Sequence, residues 1–241
     1  MTPFAEIRAR AEGRKGGAAA LARLLPPRPD RAALARIPDD RVLAAMARRV
    51  FSAGFAWRVI DAKWPGFEAA FLRFDPALLA LQPDGFWDGL LKDAGIVRNA
   101  PRIAAVRANA AFVRAVAREH GSFAAMLAAW PEDDQVGLMA LLATRGSRLG
   151  GASGQLLLRF LGFDGFITSP DVVAALRDAG LDIAVPPNSK RDLARVQAQF
   201  NAWHGETGLS YAQLSRILAM STGRNLDAPA SMKYLGTPEA R

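Results

Sequence analysis

Helix-start signals punctuate this chain from end to end, and no convincing stretch alternates with the period of a strand. Thr2-Pro3, Asp75-Pro76 and Ser169-Pro170 each set a capping residue before a proline. Proline suits the first helical position because the N–H it lacks would have no intrahelical partner there. Asp39 or Asp40 can cap a helix with Val42, Leu43, Met46 and Val50 on one face. Trp57 to Lys63 reads as a short helix, and Pro65 starts another through Phe74. Pro83-Asp84 restarts the pattern, and Pro101 opens a long helix carrying Ile103, Val106, Ala110, Val113 and Ala117 at helical spacing. Ser122 and Asp133 or Asp134 cap two more, while Ser189 with Asp192 and Ser210 with Gln213 have the form of capping boxes. The pattern predicts an all-α fold of about ten short helices.

One break differs from the rest. Arg145 to Gly151 reads RGSRLGG, with an apolar run from Ser153 to Phe163 behind it that predicts a central buried helix. Glycines at 146, 150 and 151 allow positive φ and close backbone approach. The helix that follows exposes unpaired N–H groups and a partial positive charge at its start. With Gly150, Gly151 and the Ser153 hydroxyl at the turn, and Arg145 and Arg148 at its rim, the stretch has the chemistry of a phosphate site. A plain helix–helix turn is the competing reading, since glycines are common in such turns.

Composition narrows the partners. The 31 Lys+Arg against 23 Asp+Glu leave a formal net charge of +8, which favours polyanions such as nucleic acid or an anionic surface. There is no cysteine, which excludes disulfides, thiolate zinc sites, iron–sulfur clusters and a cysteine nucleophile. His120 and His204 are the sole histidines and form no ligand pair, so no metal and no cofactor are expected. No apolar run approaches the ~18 residues of a membrane span, and Phe4 to Arg23 is broken by charges, unlike a signal peptide. A cytoplasmic monomer without a membrane partner is the expectation.

Two stretches then carry a family resemblance. Ala53-Gly54-Phe55-Ala56-Trp57, Lys63, the F-x-x-F-D-P of Phe71 to Pro76, and the run from Asp93 to Ile103 stand in order. Together with the hairpin they resemble the 3-methyladenine DNA glycosylase I family over roughly residues 40–181. The resemblance implies a two-lobed helix-hairpin-helix DNA glycosylase-like fold with the base pocket between the lobes. A single glycosylase-like domain over residues 1–222 is the expectation, and since the helical pattern is lost from about Gly223, residues 223–241 are expected to form a mobile tail. The resemblance also implies double-stranded DNA with a damaged base as partner, and hydrolysis of the N-glycosidic bond of alkylated purines such as 3-methyladenine in base-excision repair.

The site residues follow from the same resemblance. Trp57 matches the pocket tryptophan on which a flipped base stacks; a plain core tryptophan is the alternative. Arg49 stands eight residues earlier, where the family carries a glutamate that bonds the methylated base, and an arginine can only donate. The family's cysteine and histidine zinc ligands are missing. Asp171 falls about where superfamily relatives place a catalytic aspartate, with Ser169 a competitor for the register; an acidic residue at a helix start is also favoured by the dipole alone. No lysine lies between Gly151 and Leu158, which argues against a Schiff-base lyase. Lys190 and Arg191 are further candidates for phosphate contact, against a merely solvated helix face. The competing function is a non-catalytic DNA- or lesion-binding protein on the same scaffold.

Overall fold

The computed structural model describes residues 1–54 and 57–223, and every helix and turn discussed below lies within them. The helices are α1 (Phe4–Lys15), α2 (Ala18–Arg23), α3 (Arg31–Ala35), α4 (Asp39–Ser52), α5 (Trp57–Ala70), α6 (Pro76–Ala80) and α7 (Asp84–Leu90). They continue with α8 (Ala100–His120), α9 (Phe123–Ala129), α10 (Gln135–Arg145), α11 (Gly151–Phe160), α12 (Pro170–Asp178), α13 (Lys190–Thr207) and α14 (Tyr211–Ser221). The fold is all-α and comprises two helical units. Within the described residues, one is formed by 1–29, 131–137 and 158–223, the other by 30–130 and 138–157. Of the expected tail, 224–241 lie outside the described residues.

Most starts are where the caps put them. Asp75 Oδ1 accepts from the N–H of Ala77 and Leu78, Ser122 caps α9, and Ser210 with Gln213 forms a complete capping box. The fourteen helices exceed the expected ten because single capped turns such as α3, begun by Asp30, stand as helices of their own. Three starts differ in detail. Pro3 is extended (ψ 142°), so α1 begins at Phe4, and the Thr2 amide donates to Ala179 O at 2.9 Å. Pro38, not an aspartate, precedes α4, which leaves Asp39 Oδ1 to accept the Phe123 N–H at 2.8 Å. Ser189 accepts from Asp192 N–H, but the Asp192 carboxylate turns to Ala184 N–H instead of closing a box.

Pro65 does not start a helix; it lies inside α5. A proline there forfeits one backbone hydrogen bond and normally breaks a helix. The helix persists because aromatic packing spans the position: Trp64 stacks on Phe67 at 5.6 Å and on Phe74 at 5.3 Å, and Phe51 meets Phe67 edge-on at 4.7 Å. Phe71 and Phe74 belong to the same cluster, 5.4 Å apart and fully buried.

The F-x-x-F-D-P segment reaches that cluster by an uncommon route. Leu72, Arg73 and Phe74 all have positive φ, at 51°, 54° and 60°. Left-handed backbone costs an L-residue about 1–2 kcal/mol. Burial of both phenylalanines offsets this, and Arg41 braces the turn: its guanidinium donates to Arg73 O at 2.7 Å and to both Glu68 carboxylate oxygens at 2.8 and 3.1 Å.

The other unit packs α1 and α12 on α14. Its core holds Phe4, Phe166, Phe200 and Trp203, with Phe166 stacked on Phe200 at 4.3 Å. Helix α11 is buried at Gly154, Gln155, Leu157 and Leu158 and half-buried at Leu156, Arg159 and Phe160, but its first turn at Gly151 and Ala152 is open, so the helix expected to be apolar all round presents one exposed end.

Candidate nucleic-acid interface

The break at residues 146–150 is a tight hairpin. A Cβ on Gly146 would fall 2.6 Å from Leu142 O and 2.7 Å from a Leu149 methyl, and a Cβ on Gly154 would overlap Leu149 O. These two glycines let the helices close on the loop. Gly151 has φ 55°, whereas Gly150 has ordinary space around it and lies exposed. Ser153 is half-buried in the first turn of α11.

A residue that the sequence reading missed fixes the loop. Asn109 on α8 is fully buried; its Nδ2 donates to Ser147 O at 3.1 Å, and its Oδ1 accepts from Ser147 N–H at 2.7 Å. One side-chain amide thus satisfies both backbone groups of the loop residue. The only signal available was a polar residue on the apolar face of a long helix.

The two rim arginines are not equivalent. Arg145 is held by a two-bond ion pair to Glu119, at 2.8 and 2.7 Å, and lies 5.4 Å over the Phe112 ring. That partner keeps the Glu119 carboxyl below its ordinary range and the Arg145 guanidinium above. Arg148 is exposed and has no hydrogen bond or ion pair among the described residues. It also has φ 59°, a conformation usually left to glycine.

Arg148 lies close enough to Arg102 for their charges to interact. Burial first, and Arg148 second, lower the Arg102 pKa. Arg102 donates to Phe51 O at 2.6 Å and to Ala53 O at 2.5 Å, gripping the carbonyl end of α4. The chain then runs through Phe55 and Ala56, which lie outside the described residues, to Trp57 at the start of α5. Trp57 is 55 % exposed, so it is not a core tryptophan in this unit, and the Arg58 guanidinium stands 5.8 Å from its ring. Arg49 sits in the last turn of α4, half-buried; its Nε is shut off from solvent with no hydrogen-bond partner among the described residues, and burial lowers its pKa.

Much of the shared sequence vocabulary proves to be structural. Lys63 Nζ donates to Ala94 O at 2.7 Å, Asp93 Oδ1 accepts from Gly95 N–H, and Gly66 packs directly on the Gly95 backbone. Asn99 Oδ1 accepts the Arg102 N–H to cap α8.

The remaining candidates lie in the other unit. Ser169 caps α12 by accepting the Val172 N–H at 3.3 Å, and Asp171 follows in the first turn with its carboxylate exposed and against the backbone of Gly223. Lys190 and Arg191 open α13, exposed and without hydrogen bonds or ion pairs among the described residues. Cations at a helix start oppose the dipole. His204 Nδ1 is 2.7 Å from Leu209 O, and its ring stacks on Tyr211. Among the described residues no group of three or more His, Asp or Glu could hold a metal, and no helix is long and apolar enough to cross a membrane.

Residues 35–139 match the family model described as methyladenine glycosylase. Among solved structures, a 3-methyladenine DNA glycosylase I is similar at 22 % identity, over 48 % of this chain and 74 % of that one, with a TM-score of 0.42. An 8-oxoguanine glycosylase/lyase from Methanocaldococcus jannaschii, solved with a 15mer DNA containing 8-oxoguanine, is similar at 13 % identity over 93 % of each chain, with a TM-score of 0.47. Residues 35–139, which span α4 to α9, are thus similar to the methyladenine glycosylase family, in a chain that carries no cysteine for thiolate zinc ligands.

Proposed function

We propose that the protein is a monofunctional DNA glycosylase that grips duplex DNA by the hairpin and releases an alkylated purine such as 3-methyladenine. The observation that carries this reading is the placement of Arg148. An unpaired guanidinium in strained backbone interacts with Arg102, the residue that braces the approach to the half-exposed ring of Trp57. A phosphate grip and a stacking surface thereby share one unit. Strain retained at an exposed arginine, where glycine would relieve it, is explained by a partner for its charge.

In this reading Gly150, Gly151 and Ser153 offer backbone and hydroxyl donors to phosphate, with Lys190 and Arg191 as outlying contacts. Trp57 stacks on the extruded base. The C1′–N bond breaks with its electron pair leaving on the base, and water adds to C1′ and loses a proton. Asp171 stabilises the developing sugar cation. A cationic alkylated base is already a good leaving group, so electrostatics supply most of the acceleration.

Arg49 favours a second reading, a non-catalytic lesion-binding protein. A half-buried guanidinium whose Nε has no partner among the described residues repels a cationic base. Incubation with methylated duplex DNA and mass spectrometry of released bases decides between the two. Release of 3-methyladenine supports the enzyme; lesion-selective binding without release supports the module.

A further inference from the structure

Apart from the hairpin, the unit that contains α12 to α14 holds a second basic cluster. Arg159, in the last turn of α11, donates from Nη2 to Gly165 O at 2.6 Å, but its Nε is buried and has no hydrogen-bond partner. Arg216, on α14, has both Nε and Nη2 buried without partners. Three guanidinium nitrogens of two side chains thus lack acceptors among the described residues.

The surrounding connections place the two arginines around one loop. Gly165, bonded to Arg159, lies in the 161–169 segment between α11 and α12. Ile167 of that segment exchanges two hydrogen bonds with Ser215, the neighbour of Arg216, at 3.0 and 3.2 Å. Asp164 of the same segment accepts the Ala212 N–H at 2.9 Å, one helical turn before Arg216. Burial pushes the Arg159 guanidinium down to about 10, with the Arg216 charge lowering it further and Asp164 opposing; burial likewise lowers Arg216.

Two like charges are therefore desolvated together, and the carboxylate near them is already engaged with the α14 backbone. Leaving buried donors without acceptors is costly, as is setting two desolvated cations against a single carboxylate, and a bound anion answers both deficits. Guanidinium forks match the spacing of phosphate oxygens and bind them with two parallel hydrogen bonds. Both residues are half-buried overall, so part of each is open to solvent while the unpartnered nitrogens lie beneath the surface. We propose that Arg159 and Arg216 form a phosphate-binding site separate from the hairpin, taking either a DNA backbone phosphate or a free phosphate. The site stands whether or not the protein releases a base.

The test compares thermal melting in sodium phosphate with melting in sodium chloride of equal ionic strength, for the full chain and for Arg216→Met. The site predicts a saturable rise in Tm with phosphate, about 3 °C or more at ten times Kd, that Arg216→Met abolishes. Arg159→Met serves the same purpose if Arg216→Met fails to fold. The source follows from duplex binding measured across salt concentrations. A backbone phosphate makes the salt slope of the variant shallower by about one; a free phosphate leaves the slope unchanged while the Tm effect is still lost. A non-saturable phosphate effect, or one of equal size in the variant, overturns the proposal.

Discussion

Asn109 and Ser147 exchange two hydrogen bonds across 38 residues of sequence, and this pair sets the geometry of the hairpin loop. Replacing Asn109 with leucine removes both partners and leaves two backbone groups of Ser147 unsatisfied, at about 1–3 kcal/mol each. Asn109→Leu is expected to lower Tm and to speed hydrogen exchange at the Ser147 amide more than elsewhere. Protection at Ser147 equal to wild type would show that the loop holds itself.

Arg148 links stability and binding with opposite signs. Arg148→Gly relieves left-handed strain of about 1 kcal/mol, so Tm should rise. The same change should weaken binding to every duplex and make the salt slope shallower by about one. Arg145→Gln should alter that slope less, because Glu119 already engages the guanidinium. Salt titrations of the two variants separate them; equal slopes would place both arginines on phosphate.

Asp171 is tested by Asp171→Asn. If the carboxylate stabilises the sugar cation, base release falls by several powers of ten while DNA affinity and Tm hold. Unimpaired release would leave Asp171 as a helix-start residue. Ser169→Ala is the control: loss of the α12 cap lowers stability by about 1 kcal/mol without a specific effect on chemistry.

Trp57 and Arg49 decide how the base is read. Stacking on an aromatic ring is worth roughly 1–3 kcal/mol. Trp57→Ala should therefore cost about 10- to 100-fold in affinity for lesion DNA and less for undamaged duplex. Arg49→Glu should raise release of 3-methyladenine if the guanidinium faces the base. If Arg49 contacts phosphate instead, that variant lowers general affinity and leaves release unchanged.

The features legible in the sequence were the local ones. Caps at Asp75, Ser122 and Ser210 and the hairpin break depend on neighbours within a few residues, and the pattern reveals them. Pro65 misled because its helix is kept by Trp64 stacking on Phe74, a contact that no propensity encodes. Arg145 read as a hairpin cation because Glu119 is 26 residues away. Asn109 and Arg102 sat in plain view within the matched segment. Their roles depend on carbonyls and amides brought to them by the fold, which carry no residue identity of their own.

Guanidinium-to-carbonyl bracing gives the protein a cohesion of an unusual kind. Arg102 closes the end of α4, and Arg14 closes the end of α14 by donating to Met220 O, Thr222 O and Gly223 O. A peptide oxygen has no protonation equilibrium in the physiological range, and an arginine keeps its proton throughout it. These fastenings are neither broken by reductants, as a cystine cross-link is, nor released in mild acid, as a carboxylate partner would be. The helix ends they close stay closed across changes of redox state and acidity that would loosen a scaffold held by thiols or by glutamates.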